Sequence, residues 1–270
     1  MNTVGRGRSL RRMGQGLAGA AVLMLFQGCA SLPGWGPKRQ VRTAPYPVVY
    51  ASVAPVIDGR LDDAVWKQAV RVEPLYEYNK VGVLVDSADI RLAWDPQFLY
   101  VAYAIRDQDL YVSEKERDAV LCRADVAELF VKPPVRDRYA FELYEFEFNL
   151  WEAIWDIHFA GYGGDGSQAV ARFAKPFNPD IQLKAVVNGT VNDWRDVDEG
   201  YTIEVAIPWS AFARSAPDGV RAGEVWKFNA AGYDFSVYRR QPLLFTSVDG
   251  NDRGFNQYEL YPSMILMDRK

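Results

Sequence analysis

The stretch Ala124–Asn149, ADVAELFVKPPVRDRYAFELYEFEFN, constrains the fold more than any other part of the chain. It reads as two long apolar strands joined by a basic turn that Pro133-Pro134 opens, because proline cannot donate to a sheet ladder. Val126, Leu129 and Phe130 are strand-type residues on the way out. On the way back, Phe141 and Leu143 share one face, while Tyr144, Phe146 and Phe148 share the next, and the change of phase predicts a bulge or bend between Leu143 and Tyr144. Glu128, Glu142, Glu145 and Glu147 fill the opposite side. A layer with aromatics on one face and carboxylates on the other is what a β-sandwich wall requires.

The rest of the chain repeats this pattern in shorter pieces. Asp89–Trp94 alternates Ile90, Leu92 and Trp94, Asp95-Pro96 turns, and Phe98–Arg106 is apolar on both faces, as a central strand should be. Trp151–Phe159, Ile181–Val187, Tyr201–Ile207, Glu224–Asp234, Leu243–Ser247 and Ser263–Met267 read as further strands. Asp62 or Asp63 is placed to cap a short helix anchored by Trp66, and Pro208-Trp209 starts one helical turn through Phe212. Gly161–Gly166 lacks the lysine and following helix of a phosphate loop and reads as a turn. About ten short strands with hardly any helical period predict an all-β fold, an antiparallel β-sandwich of jelly-roll type with one or two short helices.

Before the sandwich, Arg6, Arg8, Arg11 and Arg12 precede the apolar run Leu17–Phe26, too short to span a bilayer, so residues 1–28 read as a secretory signal. Phe26-Gln27-Gly28-Cys29 resembles the lipobox of bacterial lipoproteins, which implies lipidation at Cys29. With Ala30-Ser31 following and no aspartate, the resemblance implies the outer membrane, facing periplasm or cell surface. Residues 29–47, rich in proline and glycine, read as a flexible tether, and the sandwich starts near Val48 and runs to residue 270. Cleavage would take the formal charge from −4 to about −8, which excludes nucleic acid as a partner. With Cys29 carrying lipid, Cys122 has no disulfide partner.

Composition narrows the chemistry. Aromatic residues make up 14% of the chain, which suits both sheet packing and a surface that stacks sugar rings. A single histidine, His158, argues against a His-based metal centre or a Ser-His hydrolase.

Five stretches in order resemble the family 9 carbohydrate-binding modules. They are Ile57-Asp58-Gly59 with Leu61-Asp62-Asp63 and Trp66; Leu92–Asp95 before Leu99-Tyr100-Val101; Asp125, Glu128 and Phe130; Gly200–Trp209; and Gly223 with Trp226 and Phe228-Asn229. The resemblance implies a sandwich that binds oligo- or polysaccharide, often beside enzymes of glycan breakdown, with calcium in some members. It also implies a departure. The tryptophan that members place three residues before Asp125 is Cys122 here, the second clamping tryptophan falls about at Phe255, and a basic residue of the long strand falls at Glu147.

From this reading the candidate ligand contacts are Phe255, Trp155, Glu147, Asn149 and Asp107, with Trp151 and Tyr162 as further loop aromatics. Trp66, Trp94, Trp209 and Trp226 are expected in the core. Calcium, if held, is expected in the acidic turns Asp193–Glu199 or Asp249–Asp252. No catalytic residue is assigned; Glu128 and Glu147 are the pair a hydrolase of O-glycosyl bonds would use. Two alternatives stand beside sugar binding: a haem protein ligated by Met264 or Met267 with His158 or a lysine, and a structural envelope lipoprotein that binds another protein.

Overall fold

The computed structural model describes residues 44–134, 142–160, 174–175 and 177–269. The expected signal, Cys29, Phe141 and Tyr162 lie outside the described residues, as does the glycine-rich 161–166 segment. In chain order the strands are β1 (Tyr46–Tyr50), β2 (Leu75–Glu77), β3 (Leu84–Val85), β4 (Ala88–Trp94), β5 (Phe98–Ile105), β6 (Val126–Lys132) and β7 (Glu142–Phe148). They continue as β8 (Ile154–Ala160), β9 (Ala174–Lys175), β10 (Gln182–Asn188), β11 (Gly200–Pro208), β12 (Val225–Asp234), β13 (Leu243–Thr246) and β14 (Ser263–Leu266). The helix α1 (Ala64–Gln68) and 3₁₀ turns such as Trp209–Phe212 complete the described elements.

One wall runs β10-β11-β5-β4, and the other runs β14-β12-β6-β7-β8-β9, with β13, β2 and β3 attached beside β12. β1 belongs to both. Its first half, Tyr46–Val48, pairs with β14, and its second half, Val49-Tyr50, pairs with β4. A strand that changes sheets makes a corner of a sandwich. Both β1 pairings are parallel, so the expected purely antiparallel ladder is broken at that one strand. Among the described residues the first strand begins at Tyr46.

The two inner faces meet in one core. Ile90, Leu92, Val101, Ile203 and Val205 come from the first wall, and Leu129, Val131, Phe146, Phe228 and Met264 from the second. The Tyr103 hydroxyl crosses between the walls and donates to the Glu128 carbonyl at 2.8 Å. Trp94, Trp209 and Trp226 are in this core as expected, while Trp66 anchors a smaller cluster under α1.

The motifs have physical reasons. Glu204, fully buried, accepts from the Asp58 and Gly59 amides at 3.0 Å and from the Trp66 indole at 2.7 Å. It therefore ties the Ile57–Trp66 segment to β11. Asp95 accepts from the Gln97 and Phe98 amides and the Tyr100 hydroxyl, while its carbonyl takes the Trp209 indole N–H. Gly200 has φ +128°, and a Cβ there would lie 2.0 Å from the Ile105 carbonyl oxygen, so only glycine fits. Asp63 occupies the N-cap of α1 but does not cap it; its carboxylate accepts from the Val56 amide instead.

The expected bulge at Leu143-Tyr144 is absent. β7 pairs without interruption from Glu142 opposite Ala160 to Phe148 opposite Ile154. Leu143 therefore shares a face with Glu145 and Glu147, and Glu142 lies on the core-facing side with Tyr144 and Phe146. Glu142 is satisfied there: it bonds His158 Nε2 at 2.7 Å, Arg214 Nε at 2.9 Å and the Tyr144 hydroxyl at 2.9 Å. Burial opposes its ionisation, but His158, Tyr144 and Arg214 outweigh that and hold its pKa below the usual value.

Candidate functional site

The outer face of the second wall carries the carboxylates that the sequence singled out. Glu128 stands opposite Glu147 across β6–β7, Glu145 stands opposite Phe130, and Trp155 is the β8 partner of Glu147. The fold covers this face. Glu128, Glu145 and Glu147 are buried, because the segment from Val248 to Tyr261 folds over the sheet and adds Phe255, Tyr258 and Tyr261. Phe255 is only 5% exposed and packs edge-on against Tyr78, Phe130 and Tyr233. It is a packing residue here and presents no open ring. Trp155 is half-buried at the rim of the same cluster.

Asn149 is spent on its turn. Its Oδ1 accepts from the Trp151 and Ala153 amides and its Nδ2 donates to the Glu114 carbonyl, which leaves one Nδ2 hydrogen on a side chain that is only 1% exposed. Trp151 is half-buried, with the Lys115 ammonium 4.4 Å from its ring. Burial, with Glu147 and Glu145 nearby, raises the Cys122 thiol pKa, which keeps it from acting as a nucleophile. Glu128 and Glu147 are too enclosed to flank a glycosidic bond, and a third carboxylate shares their space.

Asp107 belongs elsewhere. With Asp125 and Asp234 it forms a buried cluster at one end of the sandwich. Burial first, and then the neighbouring carboxylates, push the Asp107 and Asp125 pKa values up. Asp125 bridges loops, accepting from the Tyr111 amide at 2.6 Å and the Phe235 amide at 2.7 Å. Asp109 likewise accepts from the Val237 amide at 2.7 Å. The Asp125 of the family pattern is therefore a loop bracket.

What those brackets support is a cleft of about 350 Å³ lined by Asp109, Leu110, Tyr111, Asn192, Trp194, Phe235, Ser236 and Val237. Two of its aromatic side chains face outward, and the third, Phe235, is half-buried. Trp194 is 62% exposed, Tyr111 42%, and the neighbouring Tyr238 64%. The Tyr238 hydroxyl donates to the Trp194 carbonyl, and the Tyr111 and Phe235 rings lie 6.5 Å apart. The Trp194 loop is held in place by Asn192, which exchanges two side-chain bonds of 2.9 Å with the Val112 backbone, and by Asp198, which accepts from the Leu110 amide. Among the described residues, nothing occupies the Tyr111 hydroxyl or the Trp194 indole N–H. Sequence reasoning passed over these rings, reading Trp194 only as part of an acidic turn. Its signal was weak: a lone tryptophan among charged residues, where no strand period could bury it.

The expected calcium turns hold their charges differently. Asp193 pairs with Arg195 at the surface, and Asp198 spends both oxygens on the Leu110 and Thr190 amides. Among the described residues, the acidic groups that converge are the Asp107 cluster and Glu128, Glu145 and Glu147, with neither turn among them. The haem reading loses the pairing of Met264 with His158. Met264 is fully buried in the core on β14, and His158 is on β8, with β12, β6 and β7 between them. Four strand spacings, about 19 Å, are far more than one iron can bridge.

Comparison with known proteins agrees with this fold. The chain is similar to a family 9 carbohydrate-binding module from Caldicellulosiruptor kristjanssonii in complex with glucose, at 16% identity and a TM-score of 0.55, over 84% of this chain and 97% of that one. A family 9 module from the same organism in complex with cellotriose matches at 16% identity and a TM-score of 0.54, over 84% and 95%. No curated protein matches. The family model described as carbohydrate family 9 binding domain-like matches residues 57–269. The chain belongs to that family.

Proposed function

We propose that this domain is a non-catalytic carbohydrate-binding module whose stacking surface is the cleft of Tyr111, Trp194 and Phe235. The observation that carries the reading is the outward presentation of Tyr111 and Trp194 on loops clamped by Asp125, Asp109 and Asp198. Sugar rings offer apolar C–H faces to aromatic planes, and a platform that is rigid before binding loses little entropy on capture. The Tyr111 hydroxyl, the Trp194 indole N–H and Ser236 supply polar contacts at the edge. Asp107 acts beneath the cleft, through Asp125, and makes no sugar contact itself. Membership in the family and the sugars held by its solved relatives favour a glucan-type ligand.

In the same proposal Cys29 carries the lipid, residues 29–47 tether the sandwich to the outer membrane, and the bound glycan is delivered to degradative enzymes. Titration calorimetry of the purified protein with cello- and xylo-oligosaccharides tests the binding. Saturable heat that disappears in Trp194→Ala supports the proposal; silence across plant, bacterial and host glycans overturns it.

A further inference from the structure

We infer that Glu128, Glu145 and Glu147 form a binding site for a hard divalent cation of calcium type, separate from the aromatic cleft. Each carboxyl offers an oxygen, and those oxygens all lie within 4.8 Å of one another. Oxygens on opposite sides of a calcium ion, each at 2.3–2.6 Å from it, are about 4.6–5.2 Å apart, so this grouping has the size of a calcium coordination shell. The donors are all oxygen, which favours calcium, magnesium or manganese over zinc or copper.

Geometry keeps the three together. Glu128 and Glu147 are directly opposed on neighbouring strands, and Glu145 is two residues along the same face of β7. None of them can swing into water while the ladder stands. Glu128 is 1% exposed, and its Oε2 has no hydrogen-bond partner. A buried, unpartnered carboxylate oxygen beside two more carboxylates is costly unless a positive charge meets it. Among the described residues, no lysine, arginine or histidine forms an ion pair with any of the three. Their other contacts are few: Glu128 and Glu145 lie within hydrogen-bond reach of each other, the Cys122 amide donates to Glu147, and Asn256 Nδ2 lies 3.5 Å from Glu145 Oε2, at the long limit for a hydrogen bond.

A cation makes sense of the placement. It would offset two of three charges and join β6, β7 and, through Asn256, the covering segment. Cys122 and Trp155, both half-buried, border the cluster. Trp155 also gives the site a spectroscopic reporter, since it is the cross-strand partner of Glu147.

The test uses the purified protein stripped with a chelator and titrated at pH 7.5 with terbium, read by tryptophan-sensitised luminescence, and with calcium by calorimetry. The expected result is one saturable site, displaced by calcium, weakened at least tenfold in Glu147→Gln and in Glu145→Gln, and unchanged in Asp107→Asn. Calcium should also raise the melting temperature of the wild type and leave that of Glu147→Gln unmoved. Absence of saturable binding overturns the inference, as does binding that survives both glutamate variants or is lost in Asp107→Asn instead. Because each glutamine variant keeps the shape of its glutamate, a circular dichroism spectrum that matches the wild type separates lost binding from lost fold.

Discussion

Glu128 and Glu147 stand face to face across the β6–β7 ladder, 1% and 5% exposed, on the side of the sheet turned away from the main core. Like charges opposite each other in an antiparallel pair are destabilising, and burial multiplies the cost. The pair is tolerable only if the carboxyls hold protons or a cation. In either case their chemistry is separated from the exposed rings of Tyr111 and Trp194, which lie in loops at the Asp125 end of the sandwich.

Removing a ring from the cleft should weaken glycan binding without touching the fold. Trp194→Ala and Tyr111→Ala should each cost on the order of 1.4 kcal/mol, about tenfold in affinity, since both rings are largely outside the core. Calorimetry checks the affinity, and denaturant midpoints within about 0.5 kcal/mol of wild type check the fold.

Phe255 should behave in the opposite way. Its ring fills a cluster with Tyr78, Phe130 and Tyr233, so Phe255→Ala should destabilise by about 3 kcal/mol through the cavity it leaves. Affinity for oligosaccharide, measured where the variant is still folded, should change less than twofold. A large affinity loss with stability intact would show Phe255 to be a sugar platform after all.

The buried carboxylates predict an unusual pH dependence in the presence of chelator. Burial raises the Glu145 pKa to about 7, and burial with Glu145 nearby raises that of Glu147 to about 8, from an ordinary value of 4.5. Between those limits the native state holds protons that the unfolded chain releases. Stability is therefore highest below about pH 4.5, as far as these groups decide it, and falls as pH rises through 7 to 8. Glu147→Gln should remove part of that decline and gain on the order of 1 kcal/mol at pH 8, roughly 2–4 °C in Tm. Urea melts of both proteins across pH 5–9 measure it.

Much of the fold was legible from the order of the motifs, for reasons that the structure supplies. Ile57–Gly59, Trp66 and Glu204 recur together because one buried carboxylate bonds all of that segment. The Asp95 and Trp209 motifs recur because the indole of one donates to the backbone of the other. The phase of β7 was misread because Leu143 is apolar on a face of carboxylates, where it packs with Phe130, Ile157 and Phe159. Burial of that face depends on Phe255 and Tyr261, supplied by a segment that joins far along the chain, and no local period encodes it. The cleft was hidden for a similar reason. Tyr111 and Trp194 meet only because Asn192 reaches Val112 across 80 residues.

Disruption of the first motif should be felt at a distance. Glu204→Gln would leave one carbonyl oxygen to serve three donors and set an amide against the rest, costing about 2–4 kcal/mol. Trp66→Phe, which removes the indole N–H partner and part of a buried ring, should cost roughly 1–3 kcal/mol. Guanidinium denaturation orders the two variants.

The most direct measurement is a nitrogen-15 correlation spectrum of the tryptophan indole groups during titration with cello-oligosaccharide. The eight indole N–H signals are assigned by single replacement. The cleft account predicts that the Trp194 signal shifts in a saturable way while those of Trp155, Trp94 and Trp226 stay in place. A shift confined to Trp155, or a spectrum unchanged at saturating sugar, would contradict it.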